Sequence, residues 1–231
     1  LVVTEFKNSP LFNIAKKNNC LLLEHQKDIG GRYSIFSNVG MIPAIIAGLD
    51  VKKIHQGALS IINKNNFTNT FKFAQLYRFC NANNFLSNVI MTYSDGLNYF
   101  GKWYLQLWAE SIGKKNRGIT ALHATGTTDQ HSQLQLYLDG PKDKFFTFIK
   151  SNYKNKGLKI NSEIMRGESV NYLVDKTMGD LMHAEQNATI DTFKLNNFKF
   201  REITIEDINE ESLGSLMANS IIETIAACVY F

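Results

Sequence analysis

Asn88–His123 reads NVIMTYSDGLNYFGKWYLQLWAESIGKKNRGITALH, and three parts of it decide the fold. Asn88 to Ser94 is a short apolar run of the kind that forms a buried strand. Leu97 to Ile112 carries Leu97, Phe100, Trp103, Tyr104, Leu107 and Trp108 as one broad apolar stripe, so it predicts a helix ending before Gly113. Ile119 to His123 is a second strand-like run. The same alternation continues outward. Lys144 to Lys150 and Lys199 to Ile205 read as strands, and Val51 to Asn63 as a helix with Val51, Ile54, Ala58 and Ile62 on one side. Phe71 to Cys80, Val170 to Gln186 and Leu213 to Val229 also predict helices. In the second of these, Val170, Val174, Met178, Leu181 and Met182 share a face. Asparagine-rich patches at 63–66, 81–84 and 151–155 mark turns, and no internal repeat is visible. Strands alternating with helices imply an α/β fold of three layers, a parallel sheet flanked by helices.

Composition narrows the class. With 231 residues, 44% of them hydrophobic and 12% aromatic, the chain can bury one large core or two smaller lobes. Three prolines and 20% charged residues exclude fibre and disorder. The net charge of +4 is spread among asparagines and makes no basic stripe, so no nucleic-acid partner is expected. Cys20, Cys80 and Cys228 are odd in number and lack Cys-x-x-Cys spacing, which suggests reduced thiols in a cytoplasmic protein. The longest apolar run, Val39 to Leu49, is broken by Gly40, Pro43 and Gly48 and is too short to span a bilayer, so no membrane partner is expected. There is no charged-then-apolar leader. The chain opens at Leu1 and closes on Cys228-Val229-Tyr230-Phe231 inside a helical pattern with no cap. Both ends are expected to be truncated.

In a parallel sheet, ligands sit beyond the carboxyl ends of the strands. That rule selects the segments after Ser94 and after His123, which lead to Glu110 and to His131; on this reading the two connections converge. A carboxylate and an imidazole are what proton transfer at carbon and the opening of a sugar ring require. Glu110 falls near the border of the apolar stripe and in the last helical turn, where burial and the helix dipole would raise its pKa toward a useful range. On pattern alone the plainer reading is an exposed glutamate covering the stripe's edge. His131 lies in what reads as a polar loop of hydroxyl and amide residues, where a structural histidine is the plainer reading. His25, His55, His123 and His183 have no ligand spacing, so no metal site is expected. Gly30-Gly31-Arg32-Tyr33-Ser34 offers paired glycines for close backbone approach and an arginine fork for an oxyanion, or else an ordinary loop. Asp139-Gly140-Pro141 is a turn signal. Neither Gly-x-Gly-x-x-Gly nor a P-loop occurs, so dinucleotide and nucleotide readings lack support.

Together these motifs resemble a known family. Gly30-Gly31-Arg32-Tyr33-Ser34 with Ser37-Asn38-Val39-Gly40 looks like the first signature of bacterial-type glucose-6-phosphate isomerases. Trp108-Ala109-Glu110-Ser111-Ile112-Gly113-Lys114 resembles the end of that family's catalytic-glutamate helix, and Asp129-Gln130-His131-Ser132-Gln133-Leu134-Gln135-Leu136-Tyr137 its histidine motif. The match is collinear and continues through Asp139-Gly140-Pro141-Lys142-Asp143-Lys144-Phe145-Phe146.

The resemblance implies a sugar-isomerase fold, with residues 1–48 the tail of a first lobe and 49–231 most of a second, incomplete at its end. It implies interconversion of glucose 6-phosphate and fructose 6-phosphate through an enediol, in glycolysis and gluconeogenesis and without cofactor. Glu110 is then the base, Arg32 steadies the enediolate, Gly31 and Arg32 bind substrate, and His131 helps open the ring. In this family the histidine comes from the neighbouring subunit, which implies a homodimer. A serine- and threonine-rich phosphate loop and a catalytic lysine that the family carries are absent from this sequence. The resemblance thus implies an internal fragment with little or no turnover of its own. Two other readings compete. One is a non-catalytic sugar-phosphate-binding module acting as sensor or regulator, which has no need of Glu110; the other is a structural, partner-binding domain.

Overall fold

A computed structural model describes residues 1–63, 67–163, 165 and 169–229. Its elements in chain order are β1 (Val2–Thr4), α1 (Pro10–Lys17), β2 (Leu22–Glu24), α2 (Asn38–Ile46), α3 (Val51–Asn63), α4 (Phe67–Ala82), β3 (Ser87–Thr92) and α5 (Asn98–Ile112). They continue as β4 (Thr120–Thr125), α6 (Thr128–Asp139), β5 (Lys144–Ser151), α7 (Met178–Leu195), β6 (Phe200–Ile205) and α8 (Glu210–Cys228). Residues 64–66 of the first asparagine-rich patch, and Tyr230 and Phe231 of the closing tetrapeptide, lie outside the described residues.

The chain divides into two compact units, Leu1–Ala74 with Asn209–Val229, and Gln75–Ile208. In the first, β1 and β2 pair in parallel around α1, which Ser9 caps and Pro10 opens. Its centre is the packing of α3 on α8. A Cβ added at Gly57 would lie 1.9 Å from the Glu211 carbonyl oxygen, and one at Gly214 would lie 2.0 Å from that of Ile54. Only glycine lets the two backbones touch in this way. The lobe boundary expected at 48/49 falls between α2 and α3, inside this unit.

The second unit holds a four-stranded parallel sheet in the order β4-β3-β5-β6. Every residue of β3 is buried, which is why it reads as a continuous apolar run. Val89, Met91 and Tyr93 join Phe146 and Phe148 on one face, beneath Tyr137 of α6 and Ile190 and Phe193 of α7. The opposite face carries α4 and α5 and is unexpectedly polar. Asn88 donates to the Tyr77 hydroxyl (3.1 Å), Thr147 donates to Asn88 (3.0 Å), and Arg201 donates to Thr147 (3.0 Å) and Tyr77 (3.3 Å). These groups are buried yet hydrogen-bonded to one another, as a low-dielectric site demands. Burial also pushes the nearby Cys80 thiol up to about 11, against the pull of the Arg201 guanidinium.

The four expected strands and the α/β class stand. Two elements differ from the sequence reading. The helix expected over 170–186 is a short 3-10 turn, Asn171–Leu173, followed by α7 starting at Met178. Thr177 and Asp180 form a reciprocal capping box there, and that local bond pattern overrides the apolar periodicity running through it. The polar loop expected around His131 is helix α6. Its amide and hydroxyl side chains concealed it, while Asp129 in its first turn favours the positive end of the helix dipole. β1, β2, α1 and α2 are additions that the sequence reading lacks, and α2 accommodates Pro43 within its length.

Candidate active site

Glu110 sits in the last turn of α5, exposed, with one carboxylate oxygen accepting from the Gln106 amide at 3.0 Å. Its exposure fits the reading of a glutamate at the edge of the stripe; the buried face is formed by Phe100, Gly101, Tyr104, Leu107, Trp108, Ser111 and Ile112. Gly113 ends the helix, and the Lys114 ammonium donates to the carbonyl oxygens of Glu110 (3.0 Å) and Ser111 (2.9 Å). That cation offsets the negative end of the dipole beside the carboxylate. The indole of Trp108 donates to the Ile119 carbonyl oxygen at 2.9 Å, one residue before β4 begins. Glu110 is therefore fixed at the amino end of the strands.

His131 is exposed in the first turn of α6, which follows directly from the carboxyl end of β4. The Asp129 carboxylate accepts from the Thr125 amide at 2.6 Å, and the Tyr93 hydroxyl donates to Gln130 at 2.9 Å. The six residues of β4 span about 16 Å at roughly 3.3 Å per step. Glu110 and His131 thus lie at opposite ends of the sheet, on helices that cover opposite faces of it. The convergence expected from the strand-end rule does not occur within one chain. The reason is geometric: α5 starts at the carboxyl end, and its 15 residues run about 22 Å back, carrying Glu110 with them.

Gly31 and Arg32 open a 3-10 turn, Gly31–Phe36, in the first unit. Gly30 is extended (φ −63°, ψ 149°) and its carbonyl oxygen accepts from the Tyr33 amide at 2.9 Å, so the glycine pair opens a turn with neither glycine at positive φ. A Cβ at Gly31 would meet nothing within 4 Å, which leaves open space above the backbone. The Arg32 guanidinium lies over the Tyr33 ring at 4.8 Å. Among the described residues no group of three or more His, Cys, Asp or Glu could hold a metal ion. No helix among them is long and apolar enough to cross a membrane.

Sequence reasoning weighed His123 only as a metal ligand. Its ring is wedged against Gly101 of α5, where an added Cβ would lie 2.3 Å from it, and its Nε2 is 3.0 Å from the Thr92 hydroxyl. Burial holds its pKa below the ordinary value, Asp129 pulling it up and Lys102 down. The signal available was Gly101 itself, since a glycine amid aromatic residues in a helix marks close packing.

No family model matches the chain. It is 36% identical over 220 residues to a probable glucose-6-phosphate isomerase of Methanococcus maripaludis, across 93% of this chain and 49% of that protein. It is 33% identical over 232 residues to the glucose-6-phosphate isomerase of Rubrobacter xylanophilus, across 98% and 54%. The chain belongs to the glucose-6-phosphate isomerase family. It spans about half the length of the curated relatives it matches. Among solved structures, a hypothetical protein of Thermus thermophilus matches with a TM-score of 0.89 at 28% identity, over 98% of this chain and 56% of that one. A glucose-6-phosphate isomerase of Chlamydia trachomatis shares the fold, with a TM-score of 0.72 at 22% identity over 97% and 47%.

Proposed function

We propose that this chain carries part of the active site of an isomerase that interconverts glucose 6-phosphate and fructose 6-phosphate, working as a homodimer. The Glu110 carboxylate removes the proton on C2 of the open-chain aldose. The electron pair forms the C1–C2 double bond, charge collects on O1, the hydroxyl proton of O2 passes to O1, and the same carboxyl returns its proton to C1 as the C2 carbonyl forms. Arg32 steadies the enediolate by a preorganised positive charge, with the backbone at Gly31 open to substrate. His131 opens the sugar ring at the neighbouring subunit's site. Residues 1–48 then close a first sugar-isomerase lobe and 49–231 form most of a second. The reading fits a cytoplasmic protein whose three cysteines make no disulfide with one another. The 231 residues alone lack the family's phosphate loop and lysine, so turnover needs the length of the relatives.

The observation that supports a shared site is the separation of Glu110 and His131 across the sheet, since one chain cannot close both on one sugar. A complementation test decides it. At the relatives' full length, Glu110→Gln and His131→Ala homodimers should each lose about 10²–10⁴ in kcat. Co-expressed in equal amounts, they should form hybrids that each keep one intact site, restoring roughly a quarter of normal activity. No recovery in isolated hybrids would place both residues at one chain's own site. Normal turnover by Glu110→Gln would overturn the assignment of Glu110 as the base.

A further inference from the structure

His131 is borne by a helix start with little intrinsic support. Thr127 at the N-cap makes no side-chain capping bond, and the first backbone bond, from the His131 amide to the Thr127 carbonyl oxygen, is long at 3.3 Å. Two ties from elsewhere replace the cap. One is Asp129 on the Thr125 amide. The other begins at Tyr93, the residue after β3, whose ring is fully buried and whose hydroxyl donates to Gln130, the immediate neighbour of His131. The ring is also the surface on which the β4–α6 connection lies, because a Cβ at Gly126 would come within 2.5 Å of it.

We infer that Tyr93 is a positioning residue for His131: through Gln130 its hydroxyl fixes the first turn of α6, and so the direction in which the imidazole is presented. The inference rests on the reading of His131 as the ring-opening residue. Burial pushes the Tyr93 hydroxyl up to about 12, so at neutral pH it is a donor and takes no part as a base. Nothing in the apolar pattern of β3 marks it, since a tyrosine there reads as one more core aromatic.

The test is a double-mutant cycle on the full-length dimer with glucose 6-phosphate as substrate. Tyr93→Phe keeps the ring against Gly126 and deletes only the donor. It should lower kcat about tenfold, the worth of one buried hydrogen bond, with KM unchanged. In the His131→Ala background the same change should alter kcat less than twofold. Gln130→Ala, at a half-buried position, should reproduce the pattern if Tyr93→Phe lowers the melting temperature. Wild-type kcat for both variants, or an equal loss with and without His131, overturns the inference, because equal loss is what general loosening gives. If His131→Ala itself turned over normally, the role of His131 would fail and the inference with it. A slow His131→Ala enzyme on which Tyr93→Phe acts in full overturns the inference alone.

Discussion

At the amino end of the sheet, Glu110 is held through main-chain carbonyls: Trp108 bonds to that of Ile119, and Lys114 to those of Glu110 and Ser111. At the carboxyl end, His131 is held through side chains, with the buried Tyr93 and half-buried Gln130 on one side and Asp129 on the other. The first arrangement needs the Trp108 and Lys114 side chains as donors, but any residue can supply the carbonyls they bind. The second needs a specific tyrosine, a specific glutamine and room at Gly126. A main-chain acceptor survives a change of its own side chain, whereas a bond between two side chains is lost with either.

Trp108→Phe attacks the amino-end anchor and carries the largest expected effect on stability. The indole is buried, stacks on Tyr104 and lies 4.0 Å from the Tyr77 ring, so the change leaves a void and strands the Ile119 carbonyl oxygen. A cost of about 2–4 kcal/mol follows, a fall of several degrees in melting temperature. An unchanged melting curve would remove the main-chain anchor from the account. Gly101→Ala strikes nearer the other end, forcing the His123 ring from its place beside Thr92. Overpacking of this kind costs about 1–3 kcal/mol, read by denaturant titration. A neutral result would mean that the His123 ring moves freely.

The smallest effect is one of pH. Because burial lowers the pKa of His123, the unfolded chain takes up a proton near the ordinary histidine value of 6.5 while the folded chain resists it. Stability is then full above about pH 6.5 and lost as pH falls toward the folded value, by at most one proton's worth of slope. His123→Gln should flatten melting temperature against pH between about 7 and 5, relative to the parent. An identical slope in both would show that carboxylates alone set the acid response.

Much of the second unit was legible in the sequence because its two central strands, β3 and β5, are almost wholly buried and carry short apolar runs. β3, β4, β5 and β6 all fall where the runs are, and α3 and α5 where the periodicity is. Legibility failed where polar chemistry fixes the backbone. α6 begins on Asp129 and Gln130, and α7 on the Thr177–Asp180 box, neither of which leaves an apolar trace. The network of Tyr77, Asn88, Thr147 and Arg201 was hidden for the same reason, since each member looks like a surface residue until its partners are known. The candidate residues Glu110, His131, Gly31 and Arg32 came from motif wording. The separation of Glu110 from His131 came only from the direction in which α5 runs.

The contact of α3 with α8 has a consequence for synthesis. Ser60 and Ser215, which meet across it, are 155 residues apart, and the whole sheet unit lies between them. At about 5–20 residues per second, a ribosome takes roughly 8–30 s to deliver the second helix after the first. The sheet unit, whose contacts are nearer in sequence, can close during that interval. The glycine face of α3 must wait uncovered in the meantime.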